Sequence, residues 1–223
     1  MTSSNLATHG AQHFPAALDE AALAAIEAIT DTLPPDQAGI RIAGNPDLAR
    51  HLVPSGAIGK IAALHLGPTA RPVRAILFDK TPQTNWVLGW HQDRTIAVRA
   101  RVETPGFGPW TIKAGIHHVA PPQSLLDRML TLRLHLDPVG PDNAPLLIAS
   151  GSHKLGRVPK SEIEAAVARC GTSACLAERG DIWLYATPIL HASDAAATPT
   201  HRRVLQVDYS ADDLPGGLEW MGI

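Results

Sequence analysis

Apolar positions in the first third of the chain recur at helical spacing. After Leu18 they return at Leu23, Ile26, Ile29 or Thr30, and Leu33 among alanines, and Pro34-Pro35 ends the run, which predicts an amphipathic helix. A shorter helix is predicted over 58–64, after the turn-like Pro54-Ser55-Gly56, with Gly59 as its weak point. Near residue 70 the period changes to two. The change is clearest over 129–137, where Leu130, Leu132, Leu134 and Leu136 alternate with Thr131, Arg133, His135 and Asp137, giving one apolar and one polar face. Further strands are predicted over 73–80, 95–102, 110–114, 146–149, 181–186 and 202–209, punctuated by Pro and Gly. A late helix opens at Pro159-Lys160-Ser161, where Ser161 and Glu164 match a capping box.

Short strands broken by turns, with no alternating βαβ pattern, favour an antiparallel sandwich or barrel, and a jelly roll with packed helices fits best. The expected organisation is a frayed N-terminus over 1–14 and a single domain over 15–223. That domain has a helical part at 15–68 and a jelly-roll core at about 70–210. A chain of 223 residues, 45% hydrophobic and 18% charged, is long enough to bury such a core. The formal net charge is -2 and the 19 basic residues are scattered, so no nucleic-acid partner is expected. The start has neither a charged n-region nor an apolar h-region, and no run approaches a membrane span, so a soluble, cytoplasmic protein is expected. Cys170 and Cys175 read as reduced structural thiols.

The 11 histidines change the picture, because His is the commonest ligand for first-row metals. Trp90-His91-Gln92-Asp93 reads as a strand end, where side chains two apart project from one face, so His91 and Asp93 can grip one ion. His191, just beyond an apolar strand, is the candidate third ligand. Two imidazoles and a carboxylate on one octahedral face leave room for a bidentate 2-oxo acid and dioxygen, the requirement of non-haem iron(II). Such a co-substrate has a far carboxylate, which an arginine pairs best. Arg202 and Arg203 both follow His191. Arg203 shares a face with Leu205, Val207 and Tyr209, whereas Arg202 shares one with Gln206 and Asp208 and is the better lumen residue. Arg133, on the polar face of the leucine-alternating strand, also points to the lumen, with a salt bridge to Asp137 as the rival reading.

His91-Gln92-Asp93, His191-Ala192-Ser193 and Arg202, eleven positions after His191, resemble the pattern of the phytanoyl-CoA dioxygenase family of Fe(II)/2-oxoglutarate-dependent oxygenases. Asn143-Ala144-Pro145-Leu146 and Gly151-Ser152-His153-Lys154 extend the resemblance over roughly 75–210, with Ala144 where the family has glycine. The resemblance implies a cupin-like double-stranded β-helix and iron held by His91, Asp93 and His191. It also implies that Ser193 joins Arg202 on the 2-oxoglutarate carboxylate, with Lys80 near the co-substrate. The implied reaction consumes 2-oxoglutarate and O2, releases succinate and CO2, and hydroxylates a small molecule. Asp93 occupies the position that a halogenase leaves vacant.

In the Gly-, Trp- and His-rich loop over 105–122, Trp110, His117 and His118 are candidates to line the substrate mouth. Trp86 and Trp90 are expected in the core. Two rival readings are a cupin-like metalloenzyme that does not use 2-oxoglutarate and a catalytically silent small-molecule binder. Neither the primary substrate nor the oligomeric state is legible.

Overall fold

The computed structural model describes residues 5–34 and 37–223. Its larger sheet contains β1 (Ala11–Phe14), β2 (Gly39–Ile42), β3 (Arg71–Lys80), β8 (Leu130–His135), β11 (Ile182–Ala186) and β13 (Arg202–Ser210). Their order is β1-β11-β8-β13-β3-β2, antiparallel throughout. A four-stranded sheet orders β10 (Thr172–Cys175), β9 (Leu146–Ala149), β12 (His191–Ser193) and β4 (Leu88–His91). A three-stranded one orders β5 (Ile96–Val98), β7 (Ile116–Val119) and β6 (Trp110–Lys113). Side chains from the two larger sheets line one cavity between them, which is the jelly roll expected from the strand pattern.

The leucine alternation places the core. Leu130, Leu132, Leu134 and Leu136, with Leu205 and Val207, pack against Leu23 and Ile26 of helix α2 (Glu20–Thr30), Leu48 and Leu52 of α3 (Pro46–Leu52), and Ile61 of α4 (Gly59–Leu66). Each such side chain fully buried contributes roughly 1.5–3 kcal/mol. The opposite face of the same strands carries the polar residues inward. Along β13 the register pairs Arg202 with Lys80, Gln206 with Ile76 and Arg133, and Asp208 with Arg74 and Thr131. Period two thus sets a ladder of charged groups inside the roll.

Several expectations change. Residues 1–4 and Pro35 lie outside the described residues. The remainder of the terminus expected to fray is structured: α1 (Leu6–His9) leads into β1, which pairs with β11 and supplies the sheet edge. Its ladder partners are some 170 residues away, invisible to a local reading. The Ser161–Glu164 capping box does not form. Helix α6 (Ile163–Cys170) follows a 3-10 turn over Lys160–Glu162 and has no side-chain cap bond. The strand expected over 95–102 stops at Val98, whose successor Arg99 instead donates its backbone N–H to Glu219 in the C-terminal segment. The loop over 105–122 contains the β6–β7 hairpin, turning at Ala114-Gly115 with positive φ at both, and ends in the short helix α5 (Gln123–Leu126). Helix α3 was not predicted, though Asn45-Pro46 is a start signal: Asn45 accepts a bond from the Leu48 N–H at 2.9 Å. Gly59, the weak point of the predicted helix, is required there, because a Cβ would sit 2.1 Å from the Leu52 carbonyl oxygen.

Candidate functional site

Strands β4 and β12 are antiparallel neighbours whose register sets His91 directly opposite His191, with ring centroids 4.2 Å apart. Asp93, two positions on, returns to their side, and one ligand atom from each of the three lies within 4.8 Å of the others. Nδ1 of His91 is 2.8 Å from the Gly89 carbonyl oxygen and Nδ1 of His191 is 3.0 Å from that of Ile189. A carbonyl only accepts, so each Nδ1 carries the proton and each Nε2 keeps its lone pair for an ion. Burial pushes the His191 imidazole down to about 4, which keeps it neutral. Burial alone would raise the Asp93 carboxyl, but the Arg74 guanidinium holds it below the usual carboxylate range. Arg74 bridges the buried Asp208, at 2.6 Å, and Oδ2 of Asp93, at 3.3 Å, which leaves Oδ1 of Asp93 free.

The residue between His91, the last of β4, and Asp93, just beyond it, is the clamp. Gln92 points the other way, donating to the carbonyls of Gly156 and Pro188 at 2.8 Å each and accepting from the Val158 N–H at 3.0 Å. It ties the His91–Asp93 strand end to the turn that delivers His191. Ser152, in the Gly-Ser-His-Lys segment, secures that turn by accepting from the Leu190 N–H at 2.9 Å. Gln92→Leu is expected to weaken metal binding about 10- to 100-fold, the usual cost of losing a group that orients ligands. A competition titration against a metal chelator measures it, and an unchanged affinity would remove Gln92 from the site.

A second group lies at one end of the same cavity. Lys80, Arg133 and Arg202 are all buried, and among the described residues none has a carboxylate within 4.0 Å. Lys80 donates to Ser193 Oγ at 3.2 Å and to the Asp194 carbonyl at 2.6 Å, and its ammonium sits 4.9 Å above the Trp86 ring. Arg133 bonds Gln206 at 3.0 Å and lies over Phe78. The rival partner Asp137 is taken by Arg203, at 2.9 Å. Arg202 donates to the carbonyl of Ala144, which also accepts from Ser193 Oγ. Ala144 holds φ 50, a left-handed conformation that explains the glycine expected there, since alanine adopts it at a cost of about 1–2 kcal/mol. The Nε atoms of Arg133 and Arg202 are buried without partners.

Three unneutralised cations strain the cluster. Arg202 is pushed down to about 9 by burial and by Arg133, and Lys80 to about 8 by burial, Arg202 and Arg133 against the weaker pull of Asp194. An unfolded chain keeps the lysine proton up to about 10.5, so folding releases it between about 8 and 10.5 and stability rises with pH across that window. In ligand-free protein, wild type is expected to gain on the order of 1–2 kcal/mol over Lys80→Met between about pH 7.5 and about pH 9.5. Urea titrations of both proteins check this. Parallel pH profiles would contradict it.

The cavity, about 140 Å³, is lined by His91, Asp93, His191, Arg133, Ser193 and Arg202 together, with Lys80 behind Ser193 and Trp86. Trp86 is therefore a wall of the site rather than core, and Trp90 is only half-buried, packed beside Ile163 and Ala166 of α6. Trp110, His117 and His118 do not line the cavity. Trp110 packs into a second apolar cluster with Val98, Val119 and Leu126, His117 meets its ring edge-on, and His118 is fully buried beneath the hairpin. Lys113, on that hairpin, lines the cavity instead. Sequence reading also missed Arg41 and Arg74. Arg74 had a readable signal, since it shares the alternation of Lys80 on β3.

A family model for phytanoyl-CoA dioxygenase matches residues 7–204. No curated protein matches the chain. Solved structures that resemble it include HygX from Streptomyces hygroscopicus with nickel, 2-oxoglutarate and hygromycin B bound. That structure is 15% identical, with 92% of this chain and 84% of that one covered and a TM-score of 0.61. The α-ketoglutarate-dependent epimerase SnoN from nogalamycin biosynthesis is 17% identical, with coverages of 95% and 87% and a TM-score of 0.64. Apo EctD from S. alaskensis is 17% identical, with coverages of 98% and 78% and a TM-score of 0.67. The family match spans nearly the whole chain, so this protein belongs to the phytanoyl-CoA dioxygenase family.

Proposed function

We propose that this protein is an iron(II)- and 2-oxoglutarate-dependent oxygenase that hydroxylates a small organic molecule. The observation that carries this reading is the coexistence, in one cavity, of a His-Asp-His triad and a buried cation cluster with no carboxylate of its own. The residues fit a metal ion and a 2-oxo dicarboxylate. His91, Asp93 and His191 would hold the ion, and Arg202, Ser193, Lys80 and Arg133 would hold the far carboxylate of 2-oxoglutarate, supplying the charge that the cluster lacks. When bound, iron, 2-oxoglutarate and O2 together supply the oxidising power, with succinate and CO2 as co-products.

The chain's own share is positional. The carbonyls of Gly89 and Ile189 fix the imidazole tautomers, and Arg74 reserves one oxygen of Asp93 and keeps the carboxylate charged. Phe78 and Trp86 wall the cation end and exclude water, which strengthens the pairing there. HygX and SnoN carry names that link them to 2-oxoglutarate, SnoN as an epimerase, so the outcome at this site is tested directly rather than taken from them. A cupin-like metalloenzyme without 2-oxoglutarate would have no use for the cation cluster, and a silent binder none for the triad.

Purified protein supplied with ferrous iron, 2-oxoglutarate and air is expected to release succinate slowly even without substrate, and His91→Ala is expected to stop it. Bound iron without succinate release would favour the cupin-like alternative. Failure to bind iron would favour the silent binder.

A further inference from the structure

The cavity has a second cationic end. Arg41 lies opposite Ile76 in the β2–β3 pair, so it faces the lumen on the side of Arg74, and Lys113 reaches the same cavity from the end of β6. The guanidinium of Arg74 is already committed to Asp93 and Asp208. Arg41 and Lys113 are not: among the described residues neither has a carboxylate within 4.0 Å, and Nε of Arg41 is buried without a hydrogen-bond partner. This pair is separate from the first cluster. Ile76, which faces Arg41, is four residues from Lys80 along β3, roughly 13 Å at strand spacing. The charges also group separately, since Arg41 is lowered by burial and Arg74, and Lys113 by burial, Arg74 and Arg41 against the pull of Asp93, while Lys80 responds to Arg202 and Arg133.

Resting on the oxygenase reading above, we infer that the primary substrate is an anion, a carboxylate or a phosphate monoester, whose charged group pairs with Arg41 and Lys113 while its carbon skeleton reaches toward His91, Asp93 and His191. Two anion sites at opposite ends of one cavity keep co-substrate and substrate in fixed order. The cavity is also smaller than the roughly 300–1,000 Å³ of pockets that engulf drug-sized ligands, so the charged group is held toward its mouth and the substrate is compact or partly outside.

The probes are inorganic phosphate and acetate, titrated calorimetrically into protein loaded with Ni(II) and saturated with 2-oxoglutarate. One of them is expected to bind with 1:1 stoichiometry in the millimolar range, and which one does so separates a phosphate monoester from a carboxylate. Arg41→Gln and Lys113→Gln are each expected to weaken it about 10-fold or more, the effect of one charge-assisted bond, and Arg41→Lys to restore part of the loss. Wild-type affinity in both Gln variants, binding of neither anion, or displacement of 2-oxoglutarate by the anion would overturn the inference. The oxygenase reading fails by a different sign: no charge-transfer band when 2-oxoglutarate is added to the ferrous protein without air.

Discussion

Replacing His191 with alanine is expected to weaken ferrous-ion binding at least about 100-fold and to abolish 2-oxoglutarate turnover, since loss of an orienting group alone costs 10- to 100-fold. His91 and Asp93 both come from the end of β4, and His191 is the ligand contributed by β12, so its loss leaves one strand end to hold the ion. The fold should survive. His191 is buried and neutral, its imidazole bonds the Ile189 carbonyl, and truncating it costs on the order of 1–3 kcal/mol, less than the usual stability of a domain of this size. Metal titration beside a circular-dichroism melt separates the two effects. Retained iron affinity in a folded variant would sink the assignment of the triad.

Arg202→Met should weaken co-substrate binding while making the ligand-free protein more stable. The KM for 2-oxoglutarate is expected to rise about 30- to 1,000-fold, equivalent to the 2–4 kcal/mol lost when one partner of a buried charge pair is truncated. The melting temperature of the ligand-free protein is expected to rise, because Arg202 is buried beside Arg133 and Lys80 with its Nε unpartnered, and an apolar side chain of similar length escapes that desolvation cost. Weaker binding together with a more stable fold identifies a charge kept for a ligand. A structural arginine would lose stability when truncated and leave KM near its original value.

How far the sequence could be read depends on how local each signal is. The lumen side of Arg202 and Arg133 followed from alternation alone, because a strand leaves a side chain two choices and Leu132, Leu134, Leu205 and Val207 claimed the other face. The His91–Asp93 pair was legible for the same reason. Arg41 and Lys113 were not, since they are 72 positions apart and only the packing of β2 and β6 brings them to one cavity. Gln92 was passed over as the spacer within the ligand motif, and its role depends on carbonyls of residues 156 and 188. Trp110 and His118 drew notice by residue type in a loop, yet the hairpin turns them into packing, and that orientation is set by the turn at Ala114-Gly115.

The strand order of the larger sheet also bears on how the chain assembles. Its middle is β13, flanked by β8 and β3, while β2 and β3 are made more than a hundred residues earlier. During synthesis on a ribosome, β3 therefore waits for its main partner, and the hydrogen-bonding edge of β8 that β13 takes stays unpaired until residues 202–210 emerge. Such deferred, long-range closure slows folding and leaves strand edges unpaired in the meantime, the condition under which a chain is most open to mispairing.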